Sequence, residues 1–216
     1  MAQVYIFDAY GTLFDVHAAV REHAAKLGPN SAAISETWRQ KQLEYTWVRT
    51  LAGQYEDFWD VTQNALDFAL AKFPSANTAV RADLLDAYFH LAAYGEVRSV
   101  LTTLKESGAK TGILSNGSSA MLAAAVKSAG LEEVLDAVIS VDAIEIFKPR
   151  REVYQLVVEG MKVATEEVSF QSSNRWDIAG AKAFGFSTVW CNRTGQPDEY
   201  VDLSPDRIIS DLTELL

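Results

Sequence analysis

Four short strings carry the side chains that could do covalent chemistry. Asp8 runs into Ala9-Tyr10-Gly11-Thr12, so a carboxylate stands beside a glycine that permits a tight turn and a hydroxyl, on Thr12, that can donate to it. Ser115-Asn116-Gly117-Ser118, Lys148-Pro149 and Ser172-Ser173-Asn174-Arg175-Trp176-Asp177 follow in that order. Together they offer a nucleophile in Asp8 and, in Lys148, an ammonium whose nearby charge favours the ionised carboxylate. Asp177 is then a candidate general base for a water oriented by Asn174 and Lys148. Any one string alone reads equally well as a turn, because Asp, Gly, Ser and Asn are common turn formers.

A parallel sheet is what would bring these strings together. Residues 4–7, 111–114, 137–141, 168–171 and 187–191 are short, nearly continuous apolar runs, as expected of strands buried on both faces. Asp8, Ser115 and Ser172 stand at or just past the ends of three of these runs, and Lys148 lies in the loop after a fourth. Between the runs lie helical patterns: Val97, Val100, Leu101 and Leu104 before Gly108, and Val153, Leu156 and Val157 within 152–161. Alternating strands and helices mean a doubly wound α/β fold with a parallel sheet. The stretch from about 18 to 94 breaks the rhythm, with helices and no convincing strand. Ser35 is placed to cap a helix reaching Leu51, another runs from Phe58 to Phe73 and stops at Pro74, and Val80, Leu84, Tyr88 and Leu91 form an apolar stripe. We therefore expect a core of residues 1–15 and 96–216 with a helical cap, 16–95, inserted after the first strand, over the crevice where open α/β sheets bind ligands.

Composition narrows the function. A chain of 216 residues, 49% hydrophobic, can bury a full core without staples. The single cysteine, Cys191, excludes an intramolecular disulfide or a cysteine-based zinc cluster and fits a reducing compartment. The first residues carry no cationic leader or cleavage site, and no window approaches a membrane span, so a cytoplasmic protein without membrane attachment is expected. A net charge of −10 argues against nucleic acid and requires any anionic substrate to find a local cationic pocket. His17, His23 and His90 form no metal-ligand spacing and read as helix-surface residues, and Cys191 reads as a buried small hydrophobe.

Asp8-Ala9-Tyr10-Gly11-Thr12, Ser115-Asn116, Lys148-Pro149 and Asp177 match in order the four motifs of the haloacid dehalogenase superfamily, to which the chain is similar over its whole length. Tyr10, the Ser172-Ser173-Asn174-x-Trp176-Asp177 string and Arg39 resemble its L-2-haloacid dehalogenase branch. The resemblance implies a Rossmann-like core with a helical cap, a hydrolase with an aspartate nucleophile, and a homodimer. It also implies that Ser115 and the backbone after Asp8 hold a substrate carboxylate, that Arg39 and Asn116 receive halide, and that the Tyr154 hydroxyl supports the site. Tyr10, Gln40, Leu43, Phe58 and Trp176 could wall an apolar pocket around an alkyl group, although Leu43, Phe58 and Tyr154 fit ordinary packing as well.

Residue chemistry separates the branches. Phosphatases of the superfamily place a second aspartate two residues after the nucleophile, to protonate a leaving alkoxide, and acidic residues in the fourth motif to hold magnesium. Here Tyr10 is a phenol with an unperturbed pKa near 10, and Ser172, Ser173 and Asn174 stand where acidic ligands are expected. Halide leaves as a stable anion and needs no proton. The expected reaction is attack of Asp8 on the halogen-bearing carbon of a small 2-haloacid, with inversion, followed by hydrolysis of the aspartyl ester, without metal or cofactor. A magnesium-dependent phosphatase with a degenerate site and a catalytically silent binding module are the alternatives. Arg175, Arg150 and Arg151 depart from the family pattern, and either departure could widen anion recognition.

Overall fold

The computed structural model describes residues 3–216; Met1 and Ala2, assigned above to the core, lie outside the described residues. Six parallel strands form one sheet in the order β3-β2-β1-β4-β5-β6. They are β1 (Val4–Phe7), β2 (Lys110–Ser115), β3 (Ala137–Ser140), β4 (Val168–Ser172), β5 (Ser187–Cys191) and β6 (Arg207–Ile209). Five coincide with the apolar runs. The sixth went unseen because it is a three-residue edge strand with Arg207 and Ile208 exposed, too short for any period to register. β1 pairs with β2 on one side and β4 on the other, so the chain reverses its direction of winding at β1 and opens a crevice at that strand's carboxyl end.

Helices α5 (Val97–Glu106), α6 (Ser119–Ser128), α7 (Arg151–Met161) and α8 (Arg175–Phe184) connect the strands. The stripe Val97, Val100, Leu101 and Leu104 is buried, as helical spacing requires of a face turned to the sheet. On α7 the buried set is Val153, Tyr154 and Val157, with Leu156 only partly covered.

Between β1 and β2 lie α1 (Ala18–Leu27), α2 (Ser31–Ala52), α3 (Phe58–Lys72) and α4 (Arg81–Phe89). Asp57 caps α3 by accepting the Trp59 N–H at 2.6 Å, and the helix stops before Pro74. Ser35 is not a cap: α2 begins four residues earlier, and the Ser35 hydroxyl lies 2.8 Å from His17 Nδ1. The stripe Val80, Leu84, Tyr88 and Leu91 is buried, so it packs these helices together and offers no face to a second subunit. One apolar core runs continuously through helices and sheet. The two connections between them are knitted by bridges of Phe14 to Tyr10 and Ala93 and by the Tyr94 N–H donated to the Leu13 carbonyl. No described helix is long and apolar enough to cross a membrane.

Candidate active site

The turn after β1 presents Asp8 at the crevice. Gly11 sits at φ +94°, a conformation only glycine adopts without strain, and a Cβ there would approach Arg39 and Asn174 at 3.9 Å. The turn folds Thr12 back so that its hydroxyl donates to Asp8 Oδ2 at 2.9 Å and accepts the Ser173 N–H at 2.8 Å, tying the ends of β1 and β4. Asn174 Nδ2 donates to the same oxygen at 2.8 Å. Ser172 accepts the Asn174 N–H at 3.1 Å and so fixes that residue's backbone.

Lys148 reaches in from the loop after β3 and lies between two carboxylates, 3.1 Å from Asp8 Oδ1 and 2.9 Å from Asp177 Oδ2. All three side chains are buried, at 8% exposure or less, so each charge depends on the others for compensation. Burial works against the Lys148 ammonium, but Asp177 and Asp8 outweigh it and hold its pKa above the ordinary value. The ammonium is therefore a fixed charge at neutral pH. Burial raises the Asp177 carboxyl to about 6; Lys148 pulls it down, Asp8 pushes it up, and Tyr154 pulls it down. Tyr154 donates to Asp177 Oδ1 at 2.8 Å and to its carbonyl at 3.2 Å. Burial, then the charge of Asp177, raises the Tyr154 phenol well above its usual value, so it stays a donor.

Arg39 of α2 closes the site from the helical side, donating to the Tyr10 carbonyl at 2.9 Å and to Asn174 Oδ1 at 3.3 Å. Asn116 accepts the Lys148 N–H on Oδ1 at 2.9 Å, which leaves its NH₂ free to donate elsewhere. Ser115 is buried beside it and accepts the Gly117 N–H at 3.0 Å. Tyr10 is buried against Phe14, Phe58 and Tyr88, and burial, then Tyr88, raises its phenol well above the ordinary value. It cannot replace a carboxylic acid there.

A cavity of about 530 Å³ adjoins the network at Arg39 and Asn174 and is lined also by Leu43, Trp176 and Arg193, while Asp8, Lys148 and Asp177 do not line it. Its size falls in the range of small-molecule sites. Of the three arginines that line it, Arg175 pairs with Asp198 and Arg193 with Glu96, and Arg39 has no ion-pair partner among the described residues. A hollow of similar volume at the amino ends of the strands carries none of the motif residues.

The structure thus gathers Asp8, Thr12, Arg39, Asn116, Lys148, Tyr154, Ser172, Asn174 and Asp177 into one contact network, with Ser115 adjoining it. Leu43 and Trp176 line the cavity, whereas Phe58 is packed behind Tyr10 and Phe147. Gln40 is exposed and does not line it. Two positions further on, the buried Gln42 accepts from Arg39 Nη1 at 2.7 Å and donates to Thr62 and Tyr88. Its position three residues after Arg39 on a helix was the available signal. Arg193 was also missed: it donates to the Thr12 carbonyl at 2.9 Å and pairs with Glu96 at 2.6 Å. His17 is half-buried and lines the cavity, contrary to the surface position expected of it.

Each of the three unusual arginines is engaged by other parts of the chain. Arg175 is buried, with its guanidinium on Asp198 at 2.6 Å and on the carbonyls of Glu199 and Tyr200. Arg150 pairs with Glu152 on the surface, and Arg151 lies over the Phe184 ring.

A strand-end aspartate paired with a buried lysine thus stands under an inserted helical layer, and a family model described as haloacid dehalogenase-like hydrolase matches residues 2–185. The chain belongs to that family. It is 49% identical over 211 residues to (S)-2-haloacid dehalogenase 1 of Pseudomonas sp. (strain CBS-3), covering 97% of this chain and 93% of the relative. A crystal structure of a dehalogenase matches with TM-score 0.97 and 44% identity over 99% of this chain and 95% of that one. The L-2-haloacid dehalogenase of Xanthobacter autotrophicus with chloropropionic acid covalently bound matches with TM-score 0.88 and 37% identity, covering 100% and 97%.

Proposed function

We propose that the protein hydrolyses short L-2-haloalkanoic acids to 2-hydroxy acids and halide, through an ester on Asp8 and without a metal ion. The observation that carries this reading is the Lys148 ammonium lying between Asp8 and Asp177 while a buried phenol, Tyr10, stands where a leaving alkoxide would need an acid. In the first step an Asp8 oxygen forms a bond to C2 of the substrate from the face opposite the halogen. The carbon–halogen bond breaks and halide leaves with its electron pair towards Arg39 and Asn116. In the second, Asp177 takes a proton from a water held near Asn174 and Lys148, and the resulting hydroxide attacks the ester carbonyl on Asp8. The C2–O bond survives, its oxygen takes the proton of the added hydroxyl as the 2-hydroxy acid leaves, Asp177 gives its proton up to solvent, and Asp8 regains a carboxylate carrying the water's oxygen. Ser115 and the backbone after Asp8 hold the substrate carboxylate, and Tyr10, Leu43 and Trp176 exclude water from the first step.

Residues 16–95 act as the cap over a core of residues 1–15 and 96–216. The enzyme works in the cytoplasm, where a lone buried Cys191 stays reduced, and as a homodimer. Val48 and Leu51 on α2 and Phe68 on α3 are exposed apolar side chains that a second copy would cover, and sedimentation at micromolar concentration tests this.

Chloride release from L-2-chloropropanoate in the presence of EDTA tests the activity, set against phosphate release from p-nitrophenyl phosphate with Mg²⁺. Chloride without phosphate is expected; phosphate turnover without chloride overturns the reading in favour of a phosphatase. If Asp8→Asn matches wild type in both assays, the chain is a binding module. Single turnover in ¹⁸O water should label Asp8 and leave the first hydroxy acid unlabelled, whereas label in that product means direct attack by water.

A further inference from the structure

Lys148 can act only if its ammonium stays between Asp8 and Asp177, and a lysine side chain has four rotatable bonds with which to leave. Its backbone is accordingly held. The Lys148 N–H donates to Asn116 Oδ1 at 2.9 Å, a contact within the core. The preceding N–H, of the fully buried Phe147, donates at 3.2 Å to the hydroxyl of Thr50, which belongs to the last turn of α2, on the cap. Five residues further on, Tyr55 grips the same loop. Its hydroxyl donates to Asp142 Oδ1 at 2.9 Å, and its ring lies 5.1 Å from that of Phe147. Asp142 in turn accepts the Ser119 N–H at 2.7 Å, so the loop is tied to the segment after β2 that carries Asn116.

The same helix serves the opposite side of the site. Arg39 of α2 donates to Asn174 Oδ1 and the Tyr10 carbonyl, next to the nucleophile. Eleven residues separate Arg39 from Thr50, about 16 Å along a helix. One rigid bar thus touches the Asp8–Asn174 side with one group and the Lys148 loop with another. We infer that Thr50 is a positioning residue for Lys148: seating of the cap, through the Thr50 hydroxyl and secondarily the Tyr55–Asp142 contact, fixes the backbone from which the catalytic ammonium projects. This rests on the proposed dehalogenase reaction, in which Lys148 holds Asp8 ionised and helps orient the water.

Thr50→Val keeps the shape of the side chain and removes the acceptor, while Thr50→Ser keeps the acceptor and removes a methyl. On L-2-chloropropanoate, Thr50→Val should lower kcat at least tenfold with KM within threefold of wild type, because a displacement of about 1 Å at a reacting group can cost a hundredfold in rate. Thr50→Ser should restore kcat to within twofold. A purely structural role would lower the melting temperature of Thr50→Val and leave kcat, measured well below that temperature, within twofold of wild type; that result overturns the inference. So does a loss confined to KM, or a failure of serine to rescue. Should Thr50→Val not fold, Tyr55→Phe decides: a threefold or greater loss of kcat supports the inference, and an unchanged kcat overturns it. Wild-type protein that releases no halide contradicts the proposed reaction, a failure distinct from any of these.

Discussion

Tyr154→Phe isolates the base of the second step. The phenol donates to Asp177 Oδ1 at 2.8 Å, and this bond stabilises the ionised carboxylate. A hydrogen bond to a charged group is worth roughly 1.5–3 kcal/mol and one pKa unit is about 1.4 kcal/mol, so removing the hydroxyl should raise the Asp177 pKa by about one unit or somewhat more. In the resting enzyme the Asp177 value is about 6, partly because the charge of Asp8 pushes it up. Esterification discharges Asp8, so the acid limb of ester hydrolysis should lie below pH 6 in wild type and about one unit higher in the variant. At the pH where wild type is half-maximal, the variant retains about one-tenth of its base ionised, and hydrolysis is roughly fivefold slower; two or more units above, the rates converge. Quench-flow measurement of hydroxy acid formation from accumulated ester, between pH 4.5 and 9, reads this directly. An acid limb that stays put, or a loss equal at every pH, would refute Asp177 as the base tuned by Tyr154.

Further perturbations follow from the same geometry. Lys148→Met leaves two buried carboxylates without their shared cation; activity should vanish and urea midpoints at pH 8 should report a loss of about 3–5 kcal/mol. That deficit should shrink as pH falls from 8 towards 6, because without Lys148 the Asp177 carboxyl rises above its value of about 6 and the variant takes up a proton that wild type does not, and a pH-independent deficit would contradict the charge argument. Gly180→Ala would drive a Cβ into the Tyr154 hydroxyl and to 2.6 Å from Pro149 Cβ, so it should reproduce the shifted acid limb of Tyr154→Phe and cost about 1–3 kcal/mol in stability. Arg175→Ala should raise amide exchange across residues 196–200 by on the order of tenfold while exchange in β4 stays unchanged.

How legible this site was depends on the range of each contact. Buried strands announce themselves as apolar runs, which is why β1, β2, β4 and β5 were visible; the edge strand β3 showed through its Ala-Val-Ile run although Val138 is exposed, and the three-residue edge strand β6 did not show. The motif residues stand at or just beyond strand ends, so topology alone converges them once the sheet is inferred. Thr50 and Tyr55 reach partners 97 and 87 positions away, and no periodicity within α2 distinguishes a hydroxyl that meets Phe147 from one that meets water. Arg175 misled for a related reason: a cation beside Asn174 reads as an anion receptor until the chain past β5 is seen to bring Asp198 against it. The expected cap at Ser35 failed locally, because α2 starts at Ser31 with no side-chain cap at all.

In the proposed reaction an ammonium does the work for which a phosphoryl-transferring relative would need a divalent ion. Phosphoryl transfer delivers further negative charge next to the nucleophile, on oxygens that a metal must neutralise. Displacement of halide does the opposite, since Asp8 becomes a neutral ester and the unit of charge departs with the halogen. The core therefore needs only one fixed positive charge between its two carboxylates, which Lys148 supplies at 3.1 and 2.9 Å. The proposed receiving cation is Arg39, which is carried by α2 and not by the sheet. In the proposed first step negative charge thus moves from Asp8 towards Arg39. Arg39→Lys would keep that charge but lose the planar fork that reaches Gln42, Tyr10 and Asn174 together, so it should impair halide departure more than substrate binding. A kcat that falls at least tenfold, and more steeply for chloride than for the better-leaving bromide, is the expected signature; equal losses for both halides would place Arg39 outside the bond-breaking step.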